Sequence, residues 1–289
     1  MSSVEGVPGV IRVEYRKLPN GSKHGLYREW HENGQLRERC GYVNGRKDGL
    51  AEEWHQNGQL YERCNYVNGE RDGILERWDE DGQLDSKYNY VNGKQHGVFE
   101  EWHLNGQLQS KCSYVCGLQH GMYEEWHENG QLDTRCNYVN DMLDGLLEQW
   151  DENGQLREKY NYVNGVMDGI VEQWDENGQL CERGHYVNGV ADGPYERWYK
   201  NAQHGLKCNL VNDRKNGLFE EWHENGQLKQ KSNYVNGTIS GILEEWHENG
   251  QPKQKCKYVN GRCVGLLQRW DENGELIEEE SYNNGVLVK

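Results

Sequence analysis

The chain has 289 residues, of which only 34% are hydrophobic, and a formal net charge of -16. Its mean hydropathy is -1.10 and its isoelectric point about 5.2. Such a composition cannot fill a thick globular core, and its acidity weighs against nucleic acid and anionic lipid, which attract basic surfaces.

Disorder would be the usual alternative, but 11 Trp and 18 Tyr exclude it, because disordered chains are poor in aromatics. The first nine residues carry no pattern and read as a mobile leader. The N-terminus, MSSVEGVPGVIRVEY, has no basic segment followed by an apolar one, so no secretory signal is expected. No run approaches the ~18 apolar residues of a membrane span. The expectation is a soluble, cytoplasmic protein. Val10 to His24 match the second half of a repeat, with Leu18-Pro19-Asn20-Gly21 standing where later units have Tyr-Val-Asn-Gly.

Eleven full repeats of 24 residues follow, starting at Gly25, Gly49, Gly73, Gly97, Gly121, Gly145, Gly169, Gly193, Gly217, Gly241 and Gly265. Every tryptophan falls at one position of the period: Trp30, Trp54, Trp78, Trp102, Trp126, Trp150, Trp174, Trp198, Trp222, Trp246 and Trp270. A fixed period of this size means a repeat array, in which each unit packs only on its neighbours and needs little core. Residues 1–24 are read as a leader with a half repeat, and 25–289 as one continuous domain.

Each unit reads as two short strands and two turns. In repeat one, Gly25 to His31 is the first strand and Glu32-Asn33-Gly34-Gln35 the turn. Leu36 to Val43 is the second strand, and Asn44-Gly45 opens a longer turn closing at Asp48-Gly49. Asn-Gly between apolar runs is a strong hairpin signal, since Gly takes positive φ without steric cost. The turn glycines are Gly34, Gly58, Gly82, Gly106, Gly130, Gly154, Gly178, Gly226, Gly250 and Gly274. A three-residue loop with Gly34 in a bulge pairs Trp30 with Leu36. That register is expected because it collects Leu26, Trp30, Leu36, Cys40 and Tyr42 on one face, and register follows burial. Tyr27, Leu75, Phe99, Tyr123 and Phe219 share another position, which implies partial cover of the opposite face.

Repeat eight departs from the pattern. Ala202 replaces the turn glycine, His204 the leucine, Leu210 the tyrosine and Asp213 the second turn glycine. Alanine at positive φ costs on the order of 1 kcal/mol, so the turn is expected to differ here. Either the repeat has drifted, or Lys200, Ala202 and His204 mark a kink or a dedicated contact site.

The pattern Gly-x-x-x-x-Trp-x-x-Asn-Gly-x-Leu followed by Tyr-Val-Asn-Gly-x-x-Asp-Gly resembles the MORN repeat. It is most similar to the 24-residue variant of YwqK-type antitoxins and of large DNA viruses of amoebae. The resemblance covers Gly25 to Gly285 and the N-terminal half unit. It implies an all-β fold: an elongated array of 11 antiparallel β-hairpins plus a half unit in a single twisted sheet. About 23 strands at ~4.8 Å would run on the order of 100 Å if flat. Family members act as scaffolds, dimerisation modules, membrane-associated linkers, enzyme appendages or antitoxins. If the array is viral, the cytoplasm is the host's.

A repeat turns each position into a column of side chains. The Trp column is read as structural, with truncation costing roughly 3–5 kcal/mol. Cys40, Cys64, Cys112, Cys136, Cys208 and Cys256 share a second column. Its neighbours lie two strands apart, about 9–10 Å, and a disulfide needs Cα atoms within about 7 Å, so the column cannot cross-link itself. Cys116, Cys181 and Cys263 fall elsewhere, and no CxxC spacing suggests zinc. His31, His55, His103, His127, His223 and His247 form a third column, read as a solvated hairpin end. Its alternative is a metal shared between two protomers. Acidic columns at Glu76, Glu100 and Glu124 and at Glu32, Glu80 and Glu128 are read with a basic column at Arg39, Arg63 and Lys87. Together they are either a solubilising ladder or an acidic surface for a basic partner.

Nothing stands outside the columns as a unique nucleophile or base, so no catalytic, cofactor-binding or metal site is expected. The expected function is a non-enzymatic scaffold or adaptor that presents an extended acidic surface to protein partners. The alternatives are an inhibitor of a toxin enzyme and a peripheral membrane linker. Open strand edges near Ile11 and Leu276 imply self-association.

Overall fold

In a computed structural model, which describes residues 2–5 and 12–288, all regular structure among the described residues is β. The hairpin array expected from the period is the fold. The described residues gather into two compact units, residues up to 142 with 152–154, and residues 143–151 with 155 onward. Within each unit the strands follow one another in chain order as an open antiparallel meander.

Repeat one sets the local pattern. Strand Lys23–Trp30 pairs with Leu36–Val43, and the latter pairs with Arg46–Trp54 of repeat two. In repeats such as the fourth, the first strand is interrupted and runs as Lys94–Gln95 and Gly97–Trp102. The three-residue loop is present. Trp30 faces Leu36, the next pair is Glu29 with Glu38, and Arg37 is the extra residue of a bulge. His31 N donates to Gln35 O at 2.8 Å and Gly34 N to His31 O at 2.9 Å, closing the turn.

The bulge changes which residues share a face, because side chains alternate along a strand and one extra residue inverts that alternation. Trp30, Leu26 and Leu36 lie on one face with Arg39. Cys40 and Tyr42 lie opposite, with Tyr27 and Gly25 as their strand partners. The expected single apolar face is therefore two faces.

The tightest packing is on the Tyr face. Tyr27, Cys40, Ala51, Cys64 and Leu75 are buried in the first unit, and Val171, Cys208, Phe219, Leu243 and Leu267 in the second. Tryptophans are only partly buried. In the first unit a thin core of Tyr27, Cys40 and Ala51 is packed by Val13, Tyr15, Tyr42 and Tyr66. Its cover is largely cationic side chains. Lys23 Nζ lies 3.9 Å from the centre of the Tyr27 ring and Lys215 Nζ 3.6 Å from that of Phe219. Long stems bury while their charged ends reach solvent, so residues counted as polar close a core that a single sheet could not close otherwise. Glu62, itself buried, accepts from Arg71 at 3.0 Å and Arg77 at 2.9 Å.

The N-terminal end of the array departs from expectation. Ser2–Glu5, placed in a patternless leader, is a strand pairing with Val13–Lys17 and covering that edge. The remaining leader positions and Ile11 lie outside the described residues. Near the C-terminus, Val286–Val288 covers Ser281–Asn283 only, and Leu276 and Ile277 are exposed.

Repeat eight keeps the common turn. Trp198 pairs with His204 across the usual bulge, and Tyr199 N donates to Gln203 O at 2.9 Å. Ala202 adopts φ 63°, so the turn is retained at the cost of left-handed strain. At the equivalent Gly58 (φ +88°) an added Cβ would come within 2.9 Å of Gln35 Oε1. In repeat eight the preceding glutamine, Gln179, instead donates its side-chain amide to Lys200 O at 3.1 Å. Ala202→Gly is expected to stabilise the protein by about 0.5–1 kcal/mol, seen as a raised urea midpoint. An unchanged midpoint would mean the strain is relieved elsewhere.

Candidate functional site

Neighbouring repeats are bonded at both rows of turns. At the first row His31 Nε2 lies 2.8 Å from Trp54 O, and His55, His103, His223 and His247 repeat the contact on the Trp one repeat ahead. Tyr199 does the same in repeat eight, its hydroxyl donating to Trp222 O at 2.8 Å. Asn33 Nδ2 donates to Gln56 O at 2.6 Å, and Asn57, Asn105, Asn129, Asn201, Asn225 and Asn249 make the same bond forward. At the opposite row the bonds run backward: Asn68 N donates to Asp48 Oδ2 at 3.2 Å and Gly69 N to Lys47 O at 2.8 Å. The histidine column, expected to be solvated, is thus a half-buried splice between repeats. Among the described residues no group of three or more His, Cys, Asp or Glu is arranged to hold a metal ion.

The Trp face carries three stripes. One is apolar: in the first unit Leu26, Leu50, Ile74, Val98 and Met122 are each about half exposed, as are Val43, Val67, Val91 and Val115, and in the second unit Ile170, Leu218 and Ile242 hold the same position at similar exposure. The second is a charge ladder. Glu100 stands between Lys87 and Lys111 and contacts Lys111 at 3.0 Å; Arg63–Glu76 and Lys231–Glu220 repeat the pairing at 2.7 and 2.8 Å. These exposed pairs are worth a few tenths of a kcal/mol each. They pair off the acidic column, read from the sequence as either a solubilising ladder or a partner surface. The third stripe is the Trp–Leu column, with Arg39 and Arg63 stacked over Trp54 and Trp78 at 5.6 and 5.4 Å. His204 stacks between Trp198 and Trp222, with ring centres 5.3 and 5.7 Å apart.

Grooves open beside the first row of turns, where the repeat's histidine, Trp and turn residues meet those of its neighbours. One of about 450 Å³ surrounds Trp126, and others of about 360 and 380 Å³ surround Trp54 and Trp246.

Cysteines follow burial. Burial pushes the Cys40 thiol up to about 12, reinforced by the Glu38 carboxylate, and those of Cys64 and Cys136 to about 11. Cys256 and Cys263 form a disulfide with Cα atoms 6.3 Å apart. Cys263 occupies the position that holds Lys47 in repeat one, where the side chain lies over the cysteine column. Cys263 lies outside the cysteine column, so spacing within that column does not reveal the pair. Cys116 is exposed while Cys40, Cys64, Cys112, Cys136 and Cys208 are buried. A thiol reagent such as dithiobisnitrobenzoate is expected to modify Cys116 within minutes and these five only after denaturant is added. Rapid reaction of Cys64 in native protein would contradict the packing.

Repeating hairpins, bonded edge to edge and displaying stripes of like side chains, define a repeat-array protein. The model for the MORN repeat variant matches at residues 23–44, 47–68, 71–92, 95–115, 119–140, 143–164, 167–188, 215–236, 240–260 and 264–284. The chain belongs to that family. Repeat eight falls in the gap between matches. No curated protein matches. Among solved structures, a chain of the complex titled "Crystal Structure of TcdB2-TccC3-Cdc42" is similar over 94% of this chain at 10% identity. The match spans 16% of that chain, with a TM-score of 0.18. Among the described residues no helix is long and apolar enough to cross a membrane.

Proposed function

We propose that this protein is a non-enzymatic scaffold that docks protein partners along its Trp face. The observation that carries the reading is the half-exposed apolar stripe of Leu50, Ile74 and Met122 in the first unit, beside an internally neutralised charge ladder. Contiguous exposed apolar surface marks interaction sites, and neutralised flanks lower the cost of covering it. The carboxylates of Glu32, Glu80 and Glu128 sit at the turns instead, where they solubilise the edge and steer basic partners. Self-association through the exposed Leu276–Ile277 edge belongs to the same proposal.

The test is affinity capture of the tagged chain from its native source, beside a variant carrying Ile74→Lys and Met122→Lys. Specific partners are expected, with at least tenfold less captured by the variant at unchanged circular dichroism. Equal capture would remove the Trp face from the reading. A single basic nuclease, silenced on binding, would replace the scaffold by an inhibitor. Substantial esterase, phosphatase or nuclease turnover by purified protein would overturn the non-enzymatic reading.

A further inference from the structure

One position lining the groove around Trp126, that of Asp133, changes character from repeat to repeat. In repeat six the side chain at this position is Arg157, and its guanidinium fills the space between turns. It donates to the Asp151 carboxylate and to the backbone carbonyls of Asp175 and Glu176. Lys253 holds the same position at the groove around Trp246. Repeat five has Asp133 there, 3.7 Å from His127 Nε2. The cation is therefore missing from a site whose counterpart the chain fills with its own arginine.

What remains is a cavity of about 450 Å³ with Trp126 in its lining and the carboxylates of Glu125, Glu128, Asp133 and Glu152 around it. Among the described residues no Lys or Arg pairs with these carboxylates or stacks on Trp126, whereas Arg12, Arg39 and Arg63 stack on Trp30, Trp54 and Trp78. Both halves of a guanidinium site are thus demonstrated within this protein: a cation over the column indole, and a cation bonded between successive turns. An aromatic face and a carboxylate acting together favour arginine, whose planar ion stacks and bonds at once.

We propose that the groove between Trp126 and Asp133 is a receptor for an arginine side chain of a protein partner. The proposal rests on the scaffold reading and names the chemistry that one repeat would recognise. Because the groove lies at a row of turns, an arginine on a loop or extended segment reaches it without displacing any hairpin bond.

The test uses the full chain labelled with ¹⁵N, following tryptophan indole resonances while the peptide acetyl-Gly-Gly-Arg-Gly-Gly-amide is added. Trp126→Phe assigns the Trp126 resonance, which is expected to shift in a saturable, salt-sensitive manner. Asp133→Arg should weaken binding at least tenfold, because it replaces a carboxylate of the groove by a competing cation. The other indole resonances report that the variant is folded. Arg157→Asp should create a second binding event by opening the equivalent groove. The lysine peptide should bind several-fold more weakly than the arginine peptide.

A Trp126 resonance that does not move overturns the proposal, as does unchanged affinity in Asp133→Arg. Equal binding of the lysine peptide overturns the assignment to guanidinium. No second event in Arg157→Asp overturns the equivalence between repeats. None of these results touches the scaffold reading, which stands or falls on partner capture.

Discussion

In urea at pH 10.5 the protein is expected to lose several kcal/mol of the stability it has at pH 7, and three buried thiols carry a large share of the difference. Cys40, Cys64 and Cys136 sit at 1–3% exposure, and burial holds each of them neutral, with values near 12, 11 and 11 in place of the usual 9. Below pH 9 the thiols are protonated in both folded and unfolded chains, and the stabilisation they permit is complete. As pH rises past 9 the unfolded chain ionises first. Stability then falls until the folded thiols themselves ionise, between about 11 and 12. At pH 10.5 the loss is about 2 kcal/mol for each thiol. A variant with all three replaced by serine should lose on the order of 6 kcal/mol less on the same pH change. Serine is tolerated at this position, since Ser232 fills it in repeat nine at 2% exposure. Tyr42, Tyr114, Tyr160 and Tyr195, raised to about 12 chiefly by burial, and Cys112 and Cys208, raised by burial, act in the same direction and remain in the variant. Equal alkaline losses in both proteins would show that the thiols are hydrated.

Phe219→Ala is expected to cost about 4 kcal/mol, within the range for deleting a buried aromatic. Phe219 is 3% exposed and meets the Tyr234 ring edge-on at 5.6 Å. Lys215 Nζ stands over both rings, 3.6 Å from the centre of Phe219 and 5.1 Å from that of Tyr234. Removing the phenyl group leaves a void in a layer one side chain thick, with the lysine over it and no second layer to collapse into the space. In a repeat array such damage is local. Hydrogen exchange should therefore speed up in strands Arg214–Trp222 and Leu228–Val235 while repeats one to three keep their protection. A cost below about 1 kcal/mol would mean that the Tyr face is not the core.

The period, the turns and the pairing of Trp30 with Leu36 were legible in the sequence because each follows from local chemistry repeated 11 times. The choice of face was not. Tyr27 and Leu26 are adjacent and both apolar, so alternation alone favours neither. The extra residue at Arg37 then inverts the phase between the Trp column and the Cys column. Lys47, Arg71 and Lys215 read as solvated charges, although their stems roof the core. The groove at Asp133 was hidden for another reason. Asp, Arg, Lys and Tyr exchange at that position from repeat to repeat, which in sequence resembles drift. Only the seat of Arg157 between turns shows that the exchange fills or empties a cavity.

The bonds at the two rows of turns run in opposite senses, forward from His31 and Asn33 and backward from Asn68 and Gly69. Where the turn carries His and Asn, a repeat gives to the next what it takes from the one before, whereas Asp79 and Asp175 accept within their own turns. Gene duplication or deletion in steps of one whole period keeps both rows of turns in register. A change of a single residue instead misaligns both rows at once. Such an architecture lets evolution lengthen or shorten the protein like a chain of identical links, while substitutions such as Asp133 individualise single links without disturbing their couplings.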